Sequence, residues 1–175
     1  APDFIYYQVS HYLVHGSFVN FKSPKTFSEK IYQRMRYPHN DFSMLADKVA
    51  VRKYIAQRVS EKYLTPIIMT THNFTEQDYL SLPQSFVIKT NNASQQVKIV
   101  KDKSKVSYQD IAKILKEWSA ITYWKRYREK HYANIPQQII VEELLDIECD
   151  GELIDYKVHV FNGKQSYLFV ELLRG

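Results

Sequence analysis

The sequence predicts an α+β protein, because segments of different periodicity follow one another in blocks along its 175 residues. The first third has apolar residues at helical spacing, and the middle mixes short apolar runs with one long amphipathic segment. The last part is predicted to form three strands. Because helices and strands do not alternate regularly, this order argues against a doubly wound dinucleotide-binding fold.

The first third is predicted to be helical. An apolar stripe at 4–13 indicates one helix. Thr26 and Glu29 have the spacing of a capping box, which starts a second helix. After a break at 38–41, apolar residues recur at near-helical spacing from 43 to 59, which predicts helical structure there.

The middle of the chain changes period, which predicts a mixture of strands and helices. The predicted elements are a strand at 67–69, a helix at 74–80, a strand at 86–90, a polar loop at 91–96, a strand at 97–100 and an amphipathic helix at 107–120. The strands on either side of the loop are expected to form a hairpin with a long polar tip. An aromatic and basic stretch at 123–132 follows.

Three strands are predicted to finish the chain as an antiparallel meander. They lie at 138–145, 153–161 and 165–172, and Asn162-Gly163 between the last two is a strong signal for a tight hairpin turn.

Composition indicates a globular protein with an anionic partner. The formal charge is +5 and the sequence pI is about 9.1. No window approaches the ~20 apolar residues of a membrane helix. The single cysteine, Cys149, excludes an intrachain disulfide and is compatible with the cytosol. The sequence lacks the Walker A and glycine-rich dinucleotide motifs, the paired-histidine zinc motif and the serine nucleophile elbow.

Several charged residues on predicted strands and helices are candidates for binding a phosphate group. Lys89 ends a buried-type strand in front of the polar loop, and Arg52 projects from an earlier helix. The apolar run 139–145 is interrupted by two acids, which is typical of a strand that presents backbone groups and a carboxylate. Asp155 and Lys157 lie two residues apart, and therefore on the same face of a strand.

Four segments, taken in order, resemble the TupA-like (teichuronopeptide-biosynthesis) ATP-grasp family. They are Ser23-Pro24-Lys25-Thr26-Phe27-Ser28-Glu29-Lys30-Ile31, Leu45-Ala46-Asp47-Lys48-Val49-Ala50-Val51-Arg52, Phe86-Val87-Ile88-Lys89-Thr90-Asn91, and Asp155-Tyr156-Lys157 through Phe161-Asn162-Gly163-Lys164. The resemblance implies an ATP-grasp fold with an N-terminal helical region at 1–65, a first lobe at 66–135 and the start of a second lobe at 136–175.

The resemblance also implies a function and a site. Members activate a carboxylate as an acyl phosphate with ATP and Mg²⁺, and an amine then attacks it. In this branch a sugar acid or polysaccharide precursor is joined to an amino acid in bacterial cell-surface polysaccharide biosynthesis, so we expect a cytoplasmic enzyme. The implied roles are phosphate binding by Arg52 and Lys89, adenine recognition by Glu142 and the backbone near Leu144, ribose binding by Asp155, and charge stabilisation during transfer by Lys157.

The sequence departs from the family pattern in the polar loop. Members typically have Thr-Asn-His-Gly-Ser-Gly where this chain has Thr90-Asn91-Asn92-Ala93-Ser94-Gln95. A loop that still closes over ATP is then expected to use φ angles below zero at Ala93 and Gln95, which side chains tolerate. The magnesium ligands are expected downstream of Gly175, so the segment alone is expected to be inactive.

Two alternative functions remain open on the sequence alone. The altered loop is compatible with a polysaccharide-biosynthesis protein whose ATP site is degenerate. The two basic groups are compatible with an anion-binding or nucleic-acid-binding module, although nucleic acid is not the favoured partner. These groups are Lys98, Lys101, Lys103 and Lys105, and then Lys125, Arg126, Arg128 and Lys130, the second interleaved with the aromatic residues Tyr123, Trp124, Tyr127 and Tyr132.

Overall fold

The computed structural model of the protein describes residues 2–145, 153–161 and 165–173. The chain divides into two compact units, Ala1–Leu144 and Leu145–Gly175. The described residues hold seven α-helices and six strands, which confirms the α+β class. Within them, no helix is both long and apolar enough to span a bilayer. Cys149 and the predicted Asn162-Gly163 turn lie outside the described residues.

Four helices precede the first strand. They are α1 Asp3–His15, α2 Phe27–Arg36, α3 Phe42–Ala46 and α4 Ala50–Arg58. The predicted capping box is confirmed, since Thr26 accepts a hydrogen bond from the backbone N–H of Glu29 and the Glu29 carboxylate accepts one from that of Thr26. α1 ends at Gly16, whose φ of 68° is left-handed.

The helical character predicted at 43–59 is confirmed in α3 and α4, and Asp47 separates the two helices. Asp47 has an extended backbone and closes α3. Its Oδ1 accepts hydrogen bonds from the backbone N–H of Val49, at 2.9 Å, and from the side chain of Asn91, at 3.0 Å. A short acidic side chain that binds nearby backbone in this way competes with helical hydrogen bonding. Helical periodicity therefore continues across the break, although the helix does not.

The N-terminal helices are fixed to the segment just after α7, Tyr123–Tyr127. Tyr7 of α1 is fully buried, and its hydroxyl donates to the carbonyl of Arg128 at 2.5 Å. Asp3 pairs with Arg128 and with Lys130, at 2.9 Å in each case. Burial raises the pKa of Tyr7 to about 12, so the hydroxyl remains a donor at ordinary pH.

The first unit is built on a four-stranded antiparallel sheet with the order β1-β4-β2-β3. Its strands are β1 Ile67–Thr71, β2 Phe86–Thr90, β3 Val97–Val100 and β4 Ile139–Glu142, and the accompanying helices are α5 Glu76–Ser81 and α6 Tyr108–Ser119. The predicted hairpin of β2 and β3 is confirmed. One face of the sheet packs on α5 and α6 through a core that includes Phe86, Ile88, Val141 and Ile111.

The predicted three-strand meander is wrong. β4 is a central strand of the first sheet, whereas β5 Leu153–Phe161 and β6 Gln165–Leu173 form a separate antiparallel pair. Ile140 and Val141 of β4 are fully buried on opposite faces of the sheet, which favours a central position with neighbours on both sides. β4 therefore lies in the first compact unit, although the predicted division places it in the segment 136–175. The three-part division itself stays a prediction.

The alternation of β2 decides which side chains face away from the core. Phe86, Ile88 and Thr90 are buried on the helix-covered face, and the intervening Val87 and Lys89 are half-buried on the other. Lys89 therefore lies on an inner strand, and its side chain lies on the face of the sheet opposite α6.

The loop 91–96 differs from the expectation at one of its two altered positions. Gln95 has a φ of 64°, in the left-handed region, so the expected negative φ is wrong there. Ala93 keeps a φ outside that region and is 2% exposed. The backbone at Gln95 thus has the conformation that glycine adopts most readily.

Glycine at these two positions is expected to have opposite effects on stability. Gln95→Gly removes the strain of a non-glycine residue with left-handed backbone angles and should stabilise the fold by about 0.5–1 kcal/mol. Ala93→Gly removes a buried methyl group and adds unfolded-state entropy, and should destabilise it by about 1–2 kcal/mol. Urea unfolding of both variants tests this, and equal shifts of the two midpoints would contradict the loop geometry.

The capping box predicts a pH dependence. Hydrogen bonds from the backbone N–H groups of Thr26, Asn20 and Lys25 lower the pKa of Glu29 from 4.5 to about 2. The ionised form therefore stabilises the fold fully above pH 4.5, and this contribution is lost as pH falls towards 2. Glu29→Gln should lower stability at neutral pH, and its difference from the wild type should shrink in acid. A difference that is constant across pH would exclude this role.

Candidate functional site

The sheet register brings Lys89 and Glu142 together. Glu142 of β4 lies opposite Val87 of β2, two residues from Lys89 on the same face. The Lys89 ammonium is 2.5 Å from Oε2 of Glu142, and the two side chains are 20% and 8% exposed. This is a largely buried, charge-assisted pair on the face of the sheet opposite α6.

Arg52 of α4 adds a second cation to the same carboxylate. Its Nη1 lies 3.4 Å from Oε1 of Glu142, and its Nη2 donates to the carbonyl of Thr65. The Arg52 side chain is 19% exposed. Arg52 therefore fixes one carboxylate oxygen of Glu142 while Lys89 takes the other.

Lys48 lies beside this pair and holds the loop. Its ammonium donates to the carbonyls of Asn91, at 3.4 Å, and of Ala93. Burial lowers the pKa of Lys48, and the positive charge of Lys89 lowers it further. Both effects mean that the charged form of Lys48 lacks full compensation from its surroundings.

The electrostatic result is an excess of positive charge. Lys48, Arg52 and Lys89 supply three cations, Glu142 contacts two of them and the Asp47 carboxylate acts on Lys48, so these five side chains carry 3 − 2 = +1 formally. In a site shielded from water such an excess attracts anions more strongly than the same charges on an open surface. Residues 48, 52, 89 and 142 are called the cationic cluster below.

Asn91 organises the backbone around the cationic cluster. It is 1% exposed, and its side chain donates to Asp47, at 3.0 Å, and to the carbonyl of Pro136, at 2.9 Å. Its Oδ1 accepts from the backbone N–H of Gln138 at 2.7 Å. Its carbonyl accepts from the backbone N–H of Lys48 at 3.2 Å, and its own N–H donates to Gln138. Sequence reasoning gave Asn91 and Lys48 no role, although both lie inside the quoted family motifs.

The structure brings three of the six predicted site residues together. Arg52, Lys89 and Glu142 meet in the cationic cluster. Leu144 is half-buried just after β4, where the backbone N–H of Glu143 donates to the carbonyl of Pro66 at 3.1 Å.

The remaining two predicted site residues belong to the second compact unit. Asp155 and Lys157 lie on β5, opposite Glu171 and Phe169 of β6. The side chain of Lys157 is exposed, and that of Asp155 lies outside the described part of the chain. The roles predicted for these two residues stay predictions.

The donor set of the cationic cluster fits a polyanion better than it fits a metal ion. Ammonium and guanidinium groups pair with phosphate oxygens. In the described part of the chain, no group of three or more His, Cys, Asp or Glu residues is placed to hold a metal. Phosphate oxygens therefore suit these residues, and the described residues offer Mg²⁺ no ligand set.

The four-stranded antiparallel sheet with its surrounding helices is a partial ATP-grasp-like fold. The family model described as TupA-like ATPgrasp matches residues 29–175, which is most of the chain. The chain therefore belongs to the TupA-like ATP-grasp family, and the family predicted from the sequence motifs is confirmed. No curated protein and no solved structure gives a significant match.

The charge balance of the cationic cluster can be tested by removing its carboxylate. Glu142→Gln leaves the cations without their counter-charge and should destabilise the fold by about 2–4 kcal/mol. Added sulfate should recover part of this loss, because the variant cluster carries one more net positive charge. Urea unfolding with and without sulfate measures both effects.

The matched control is Glu117→Gln on the exposed surface of α6. It should change stability by less than about 0.5 kcal/mol, with no specific response to sulfate. Equal sulfate stabilisation of the two variants would show that the cluster is not an anion site.

Proposed function

We propose that this chain is the nucleotide-binding part of an ATP-dependent carboxylate–amine ligase. The observation that carries the proposal is the partly buried cationic cluster, which carries an excess of positive charge beside a loop whose carbonyls Lys48 holds. Membership of the ATP-grasp family supports ATP as the anion.

The contacts suggest different roles for the residues of the cationic cluster. Lys89 and Lys48 would meet the phosphates, because each has an ammonium group at the start of the loop. Arg52, which also binds the Thr65 carbonyl, would hold Glu142 and through it the ammonium of Lys89. This arrangement makes Arg52 a positioning residue as well as part of the positive field.

The proposed reaction has two balanced steps. A carboxylate oxygen of the substrate forms a bond to the terminal phosphorus of ATP, and the bond from that phosphorus to the ADP oxygen breaks. An amine then attacks the acyl carbon of the acyl phosphate, inorganic phosphate leaves, and the amine loses a proton. Positive side chains stabilise the charge that develops on the transferred group, which is the role proposed for Lys157.

The substrates and setting rest on family membership. A sugar acid or polysaccharide precursor would supply the carboxylate and an amino acid the amine, in bacterial cell-surface polysaccharide biosynthesis in the cytoplasm. Mg²⁺ would neutralise inner phosphate charge, with ligands outside the residues considered above.

A degenerate ATP site is less well supported than an active one. The left-handed backbone of Gln95 does not favour the active site, because a loop that closes over ATP is expected to have a negative φ there. Lys89 and Glu142 persist as a close, largely buried pair. A site under no functional constraint would have little reason to keep this pair of buried charges.

A nucleic-acid-binding module is disfavoured because many of its candidate cations have internal partners. The ammonium of Lys103 donates to the carbonyls of Leu80 and Leu82, at 3.0 and 2.7 Å. Arg128 and Lys130 both pair with Asp3. Because these cations already bind groups within the protein, the two basic groups serve partly to stabilise the fold and are less available to nucleic acid.

Neutral substitutions in the cationic cluster should weaken ATP binding. Lys89→Gln and Lys48→Gln each remove a charged donor and should raise the Kd for ATP about 10–100-fold. Isothermal titration with ATP and magnesium measures this, with thermal unfolding checked in parallel to confirm that each variant is folded.

Lys101→Gln is the control, since Lys101 is exposed at the opposite end of the β2–β3 hairpin and its substitution changes charge by the same amount. Lys101→Gln should bind ATP like the wild type. If folded Lys89→Gln and Lys48→Gln also bind ATP as tightly as the wild type, the proposed function is wrong.

A further inference from the structure

One face of α1 is apolar and exposed. Val9 lies about 160° around the helix from Tyr7 and from His11, which are the two buried residues of α1. Leu13 is 78% exposed, Phe18 just after the helix is 65% exposed, and the other apolar residues of this face are about half exposed. These residues are called the α1 stripe below and are Ile5, Val9, Tyr12, Leu13 and Phe18. The stripe precedes residue 29, where the family match begins, so family membership does not account for it.

The buried side of α1 holds the α1 stripe in a fixed place. Tyr7 and His11 meet the ring of Tyr32 on α2, with ring centroids 6.1 and 5.3 Å apart and an interplanar angle of 88° in both pairs. On the other side of the helix, the ring of Phe18 stacks on Tyr12, with centroids 4.9 Å apart and an interplanar angle of 26°. The segment after α1 therefore folds back and extends the stripe beyond the helix.

The α1 stripe is large enough for a stable contact between two copies of the chain. At about 100 Å² of exposed surface for each residue, it presents roughly 500 Å² of mostly apolar surface. A standard interface buries ~800 Å² on each partner, and about 65% of a homodimer interface is apolar. The stripe therefore matches the apolar share of one side of such an interface.

The distribution of charge favours α1 as the place where two copies meet. Two copies of a chain with a formal charge of +5 repel each other. α1 has no Lys or Arg, and its one acidic residue, Asp3, pairs with Arg128 and Lys130. Two copies can therefore approach along α1 without bringing like charges together. The same lack of cations argues against a lipid surface, since helices that lie on membranes are rich in Lys and Arg on their polar face.

The apolar row of α1 is symmetric about Val9. Ile5 and Leu13 lie four residues before and after it, and Val9 is also the central residue of the helix Asp3–His15. Rows of residues four apart form the ridges by which helices pack against each other. In an antiparallel pair with a two-fold axis at Val9, Ile5 of each copy meets Leu13 of the other copy. The antiparallel direction also places opposite ends of the two helix dipoles side by side.

We propose that the protein forms a two-fold symmetric homodimer through the α1 stripe, with the two α1 helices antiparallel. The two-fold axis passes through Val9, and the contact covers the apolar face of α1 on both copies. This homodimer does not rest on the proposed function, because the α1 stripe and the cationic cluster share no residue.

Analytical ultracentrifugation of the 175-residue chain tests the homodimer. The wild type should change from monomer to dimer between about 1 and 100 µM, the range of a micromolar Kd. Val9→Lys places two ammonium groups against each other at the two-fold axis and should raise the Kd of the dimer about 100-fold. Because Val9 is half exposed, the variant should remain folded, which circular dichroism and thermal unfolding check.

The matched control is Val14→Lys, the same substitution on the same helix. Val14 is 73% exposed and lies about 140° around the helix from Val9, outside the α1 stripe. This variant should leave the Kd of the dimer unchanged. A wild type that stays monomeric up to ~100 µM, or equal weakening by the two variants, would overturn the homodimer. Binding of the wild type to phosphatidylcholine vesicles that Val9→Lys abolishes would also overturn it, because the stripe would then face lipid.

Paired charge substitutions test the antiparallel direction. Ile5→Lys and Leu13→Glu should each weaken the dimer about tenfold, because each places a charge against an apolar side chain of the other copy. The double variant brings the two opposite charges together across the interface and should form a tighter dimer than either single variant. In a parallel pair the double variant would instead bring like charges together, so a weaker dimer than that of either single variant would overturn the antiparallel arrangement.

Discussion

The structure around the candidate site depends on one buried side chain, Asn91. Its amide and backbone bind Asp47, Lys48, Pro136 and Gln138, so a single residue connects the start of α4, the end of β2 and the approach to β4. At 1% exposure, an amide with any of these partners missing would cost about 1–3 kcal/mol. The full set of hydrogen bonds therefore fixes the position of the first residue of the loop 91–96.

The cationic cluster follows from that constraint. Lys48 lies between α3 and α4 and is held at the loop, and Arg52 lies on α4, so this segment supplies two cations next to Lys89. Glu142 shares its two oxygens between Arg52 and Lys89, which holds them apart and oriented. Glu142 and Asp47 together supply two carboxylates to three cations, so one positive charge remains uncompensated and favours an anion at this place.

Sequence alone determined what depends on neighbouring residues. The capping box at Thr26, the β2–β3 hairpin and the amphipathic α6 are local patterns, because hydrogen bonds and side-chain alternation within a few residues decide them. The order of the motifs also identified the TupA-like ATP-grasp family, and with it Arg52, Lys89 and Glu142 as residues of interest. These three come from distant segments, and the motifs gave no reason for their mutual contact.

Only the tertiary structure decided what depends on residues far apart in the chain. It divided the helical segment 43–59 into α3 and α4, because Asp47 binds Asn91 instead of continuing a helix. It moved β4 from the predicted meander into the middle of the first sheet, where both faces of that strand are covered. It also gave Gln95 a left-handed backbone that its residue type disfavours. For Asp47 and for β4, contacts between distant segments outweighed local preference, because burial and hydrogen bonding in the folded chain exceed the ~1 kcal/mol scale of intrinsic propensities.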